Sequence, residues 1–253
     1  MDYIIVQAGG RGSRMELLTK NKPKALVPVN NLPMIFHLFK KYPNKKFIVI
    51  GDYKIDVLER YLKTFATVDY EIVNASKHKG TCSGLNDALN LIPPNEKFML
   101  IWCDLILPSD YEIPETNKNV IGISKDFSCR WSYSNGKFIE EASNDHGVAG
   151  MFIFNDKNLL LQSENNLTGG GCYLKRANLS AGYNPKILNL KNRRFTVQKN
   201  MEFTANGANF PKCVAARSIE LILKATKSLN TELTNKAKIW QSVKLRGTKT
   251  FAN

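Results

Sequence analysis

Two hydrophobic periods alternate along the first 154 positions of the chain. Tyr3–Val6, Phe47–Ile50, Tyr70–Val73 and Phe98–Trp102 are short, nearly continuous apolar runs, the pattern of strands buried on both faces. Between them, Pro33–Lys41 is apolar at Met34, Ile35, Leu38 and Phe39, and Ile55–Phe65 at Ile55, Leu58, Leu62 and Phe65, which is the spacing of one helical face. Gly84–Leu91 reads as a third helix, stopped by Pro93-Pro94. Alternating strands and helices predict parallel pairing by right-handed crossovers, an α/β doubly wound sheet. Val120–Ser124, Cys129–Tyr133, Lys137–Glu141 and Val148–Phe154 are predicted as further strands, mixed or antiparallel. Ligands of such sheets gather at the carboxyl ends of the strands, so the loop at Gly9, the segment near Gly80 and Asp104 are expected to converge.

Composition narrows the class. The chain has 253 residues, enough for one large domain or two small ones. No apolar run approaches the roughly 20 residues that span a bilayer. Met1–Gln7 lacks the basic start of a secretory signal, so a cytoplasmic protein without a membrane partner is expected. The five cysteines are scattered without a C-x-x-C pair and the three histidines without ligand spacing, which points to reduced thiols and away from zinc.

The candidate chemistry lies after the first strand. Ala8-Gly9-Gly10-Arg11-Gly12-Ser13-Arg14 is followed by Thr19 and then by Pro23-Lys24-Ala25-Leu26-Val27-Pro28-Val29. Glycines let backbone N–H groups approach phosphate oxygens with no side chain in the way. Arg14 offers a planar fork of donors, and Lys24 a point charge placed by Pro23. No Gly-Lys-Ser/Thr follows at the P-loop spacing, and the dinucleotide fingerprint fits poorly.

This combination resembles the sugar-1-phosphate and phosphocholine nucleotidyltransferase family, whose signature runs G-x-G-x-R, a threonine, then P-K-x-L-x-P-V. The resemblance covers about residues 1–154 and implies a Rossmann-like, GT-A-like doubly wound mixed sheet. It implies Arg14 and Lys24 as the catalytic cations on the triphosphate, and Ala8, Gly9, Gly10, Gly12 and Ser13 around the nucleotide. Gly80 and Thr81, in Gly80-Thr81-Cys82-Ser83-Gly84, would meet base and ribose. Asp104 would bind Mg²⁺, with Cys103 standing where relatives carry glycine. Glu140 and Gly150 would meet the acceptor, although the lysine and proline that usually follow the glutamate are missing. The implied reaction joins an NTP, CTP favoured, to a phosphocholine-like or sugar 1-phosphate acceptor with release of pyrophosphate, in polysaccharide or lipid head-group synthesis.

Charge divides the chain. Up to Glu164 it holds 20 Lys+Arg against 19 Asp+Glu; from Asn165 onward it holds 16 against 3, with no aspartate after Asp156. A nucleic-acid-binding tail is one reading of that break. The favoured one is translation out of frame from somewhere between Asp156 and Gly171. Shifting the frame lets four tail segments regain acids and aromatics, and they then resemble the start of a kinase-like domain fused to the first. The expected organisation is therefore a catalytic domain over 1–164 and, over 165–253, a basic, poorly ordered tail. On that reading this chain is a nucleotide-binding domain impaired in turnover. The family's second metal-binding aspartate has no counterpart after Asp156, which leaves Asp126, Asp145 and Asp156 to supply it.

Overall fold

Strand β1 (Tyr3–Gln7) forms the middle of a sheet in the computed structural model, which describes residues 1–76, 84–107, 111–115, 117–124, 129, 131–134, 137–139, 141–143, 146–158, 203–205 and 214–215. Two 3-10 segments follow, Ser13–Thr19 and Lys24–Leu26. Strands β2 (Pro28–Val29) and β3 (Leu32–Pro33) form a hairpin, with Asn30 and Asn31 both at positive φ, the conformation that a two-residue hairpin loop requires. Then come α1 (Met34–Lys41), β4 (Lys46–Gly51), α2 (Ile55–Phe65), β5 (Tyr70–Asn74), α3 (Leu85–Asn90) and β6 (Phe98–Trp102). Strands β7 (Leu105–Ile106), β8 (Asn119–Ser124), β9 (Ser132–Ser134), β10 (Lys137–Ile139) and β11 (Gly147–Phe154) follow, with β12 (Phe203–Ala205) and β13 (Val214–Ala215) beyond them.

Among the described residues the main sheet runs β10-β9-β11-β6-β1-β4-β5, with β8 on β11 and β12 on β8. Strands β6, β1, β4 and β5 are parallel, whereas β11 is antiparallel to both β6 and β8. The doubly wound, mixed sheet expected from the apolar runs is thus present. Alternation along the strands feeds two cores. Ile4, Val6, Phe47, Val49, Met99 and Ile101 pack with Leu38, Phe39, Leu58 and Leu62 of α1 and α2. Ile5, Ile48, Phe98 and Leu100 pack on the opposite face with Leu85, Ala88 and Leu89 of α3. A third cluster of Met15, Val27, Val29, Met34 and Ile106 fastens the signature segment to the sheet.

Candidate active site

Chain order and spatial order part company at one place among the parallel strands. The chain steps from β1 outward to β4 and β5, then returns to lay β6 on the other side of β1. The carboxyl ends of β1 and β6 flank that switch point, where an open α/β sheet forms its crevice. The glycine loop leaves the end of β1 and Asp104 the end of β6, so the convergence expected for these two holds. Gly80, Thr81 and Glu140 lie outside the described residues.

The three loop glycines have different physical reasons. A Cβ on Gly9 would lie 2.9 Å from the Cβ of Asp52, so this glycine permits close passage of the loop past the end of β4. Gly12 has φ +66°, and a Cβ there would press on Thr19 Cγ2 at 3.0 Å and Lys24 Cβ at 3.2 Å. Gly10 is exposed, and a Cβ on it would meet nothing within 4 Å. Neither backbone nor packing demands glycine at position 10.

Thr19 braces the loop: it is buried, and its hydroxyl donates to the carbonyl oxygens of Gly12 and Glu16, each 3.3 Å away. Tyr53, just past β4, donates from its hydroxyl to the Thr19 carbonyl at 3.0 Å, while its ring lies 5.4 Å below the Arg11 guanidinium. No sequence motif singles out Tyr53; its signal is its place just past the end of a parallel strand, where such sheets gather their ligands. Ala8 is buried and donates its N–H to the Ile50 carbonyl. Ser13 and Arg14 are exposed in the first turn of the 3-10 segment.

Lys24 and Asp104, 80 residues apart, form a hydrogen-bonded ion pair with side chains only 12% and 7% exposed. The Lys24 stem passes over Gly12 on its way to the carboxylate. Cys103 is fixed by its N–H to the Gln7 carbonyl, 3.2 Å away, so β6 leaves the sheet tied to β1. Burial, and after it the charge of Asp104, pushes the Cys103 thiol up to about 12, which keeps it neutral and unreactive.

Asp104 supplies one hard oxygen donor, which suits Mg²⁺, an ion usually held by one or two carboxylates plus substrate phosphates. Among the described residues no three His, Cys, Asp or Glu side chains cluster as a complete metal cage. Of the candidates for a second ligand, Asp126 and Asp145 lie outside the described residues. Asp156 follows the end of β11, where Phe154 pairs with Phe98 at the start of β6. It therefore sits at the opposite end of the sheet from Asp104, roughly 20 Å away by strand rise. Gly150, in β11, has φ +91° and lies against the indole of Trp102, two residues before Asp104.

Comparison with known proteins agrees with this geometry. Residues 4–113 match the family model described as the MobA-like NTP transferase domain. The bifunctional protein GlmU of Methanococcus maripaludis is 28% identical over 128 residues, which is 49% of this chain and 30% of that protein. The D-glycero-alpha-D-manno-heptose 1-phosphate guanylyltransferase of Campylobacter jejuni is 29% identical over 100 residues, 38% of this chain and 45% of that one. The chain thus spans under half the length of these two relatives. The structure of the CTP:phosphocholine cytidylyltransferase of Streptococcus pneumoniae superposes with a TM-score of 0.61 at 17% identity, covering 90% of this chain and all of that one. The switch-point crevice and its glycine loop both fall within residues 4–113, the stretch similar to the MobA-like NTP transferase domain.

Proposed function

We propose that the chain transfers a nucleotidyl group from an NTP, CTP favoured, to a phosphocholine-like or sugar 1-phosphate acceptor, releasing pyrophosphate. The observation that carries this reading is Gly10: a glycine the fold does not require, in the loop whose Gly12 passes the stem of Lys24, itself paired to Asp104. An acceptor phosphate oxygen attacks the α-phosphorus, the bond to the bridging oxygen of the β-phosphate breaks, and pyrophosphate leaves with the electron pair. The acceptor phosphate is already ionised, so the chain's task is positioning and charge stabilisation. Loop N–H groups around Gly10 hold phosphate oxygens, while Arg14 and Lys24 stabilise charge on the reacting phosphates. Mg²⁺ held by Asp104 neutralises phosphate charge when bound.

Gly80 and Thr81 are assigned to base and ribose, Glu140 and Gly150 to the acceptor. No helix among the described residues is long and apolar enough to cross a membrane. We place the reaction in the cytoplasm, where nucleotides are made. The names of the relatives and of the similar solved structures span two acceptor classes, a sugar phosphate and phosphocholine, and several bases, uracil, guanine and cytosine among them. An attached kinase domain, as the shifted frame suggests, would make phosphocholine and tips the choice towards it. A second reading, nucleotide binding without turnover, draws on the absence of any aspartate after Asp156.

The test is pyrophosphate release from CTP, GTP and UTP, each with phosphocholine and with glucose 1-phosphate. CTP with phosphocholine is expected to be fastest, and Lys24→Ala to lower turnover by about a thousandfold. Gly10→Ala is expected to keep the melting temperature and raise KM for the nucleotide. Nucleotide binding with no release from any pair would establish the second reading instead.

A further inference from the structure

The pairing of Lys24 with Asp104 has a meaning of its own. Both side chains are nearly buried, and neither is on the element next to the other in sequence. Lys24 is held there by its 3-10 turn behind Pro23 and by the passage of its stem over Gly12. Two desolvated opposite charges in contact compensate one another, and removing one partner's counter-charge leaves the other stranded at high cost.

A bare divalent ion that takes the Asp104 oxygen bonded to Lys24 displaces the ammonium and leaves it nearly buried without that anion. A metal–nucleotide complex brings that anion with it: Lys24 passes to a phosphate as the metal takes the carboxylate, and no charge is stranded. We propose that Lys24 is the resident cation of the Asp104 site, a latch that rejects free divalent metal and admits it as the nucleotide complex. This rests on the reading of Asp104 as the metal-binding carboxylate and Lys24 as the phosphate-binding lysine. It adds a role for Lys24 before any substrate is present.

The experiment is calorimetric titration of the nucleotide-free full chain with Mn²⁺, comparing wild type with Lys24→Met, Lys24→Gln and the double variant Lys24→Met/Asp104→Asn. Thermal melting checks that each is folded, and two neutral replacements guard against one that is not. Both single variants are expected to bind Mn²⁺ at least about tenfold more tightly than wild type, with the gain lost in the double variant. Affinities equal to or weaker than wild type, including no measurable binding by any variant, would overturn the latch. A gain that survives Asp104→Asn would overturn it too, because the released site would lie elsewhere. Titrating wild type with a Mn²⁺ complex of a non-hydrolysable NTP separates the two claims. Binding of that complex without a Lys24 effect on bare metal removes the latch and keeps the nucleotide site. Failure of that complex to bind removes the nucleotide site itself, while the bare-metal comparison still decides the latch.

Discussion

A Cβ placed on Gly150 would lie 2.0 Å from Cε3 of Trp102 and 2.3 Å from Cδ2. The antiparallel register explains the encounter. Met151 pairs with Ile101, so Gly150 stands across from Trp102, within the stretch where the pairing of β11 with β8 slips between Val148 and Phe152. Gly150→Ala combines overpacking with a side chain at φ +91° and is expected to lower unfolding stability by about 2–5 kcal/mol in urea. Trp102→Ala in the same chain should recover the overpacking part alone. A stability loss under about 1 kcal/mol in the single variant would mean that the indole can swing aside. The resemblance implies Gly150 as an acceptor contact; its contact with Trp102 is not legible in sequence because it depends on register between strands almost fifty residues apart. The Lys24–Asp104 pair was hidden for the same reason: each residue looked like a charge awaiting a ligand, and only the topology makes each the other's partner.

Among the elements, those with a full period of apolar residues were the legible ones. The α2 limits, Ile55–Phe65, coincide with the predicted span, as do those of β6, Phe98–Trp102. Two-residue strands such as β7 carry no period to read, and the 3-10 turn at Lys24–Leu26 is hardly longer. The predicted Cys129–Tyr133 strand is displaced to Ser132–Ser134, with Cys129 left in a single bridge to Ser143. The short α3 illustrates what an element can owe to distant residues. Its amino end starts at Gly84, which has φ +73° and packs closely on Ala75, Ile50 and Val73. Near its carboxyl end, the buried ammonium of Lys157 donates to the carbonyls of Leu89 and Ile92. A six-residue helix has little stability of its own, so this cap holds it in place. Lys157→Met is expected to cost about 1–3 kcal/mol by urea denaturation, as hydrogen bonds to charged groups do. An unchanged midpoint would show that burying the charge offsets its bonds.

At the scale of the whole molecule, two short strands come from the basic segment. β12 runs parallel to β8, and β13 lies antiparallel to β7, pairing Ala215 with Leu105 beside Asp104. Charge counting drew a boundary near Glu164 because composition carries no information about pairing. The strands make a truncation informative: a chain ending at Glu164 exposes the backbone edges of β7 and β8 and is expected to melt several degrees lower and to self-associate on size exclusion. Unchanged melting and a monomer would show that the first 164 residues stand alone. Sequencing the coding DNA beyond codon 150 decides separately whether the basic segment is in its native frame. The switch point also sets an order of events in time. Residues 3–51 can wind β1, α1 and β4 soon after synthesis, but Asp104 meets Lys24 only once β6 has crossed back over two strands to dock on β1. Closing so long a loop is among the slower steps of folding. On the proposed function, nucleotide binding by the nascent chain is expected to emerge late and abruptly, a signal that the return crossover is complete.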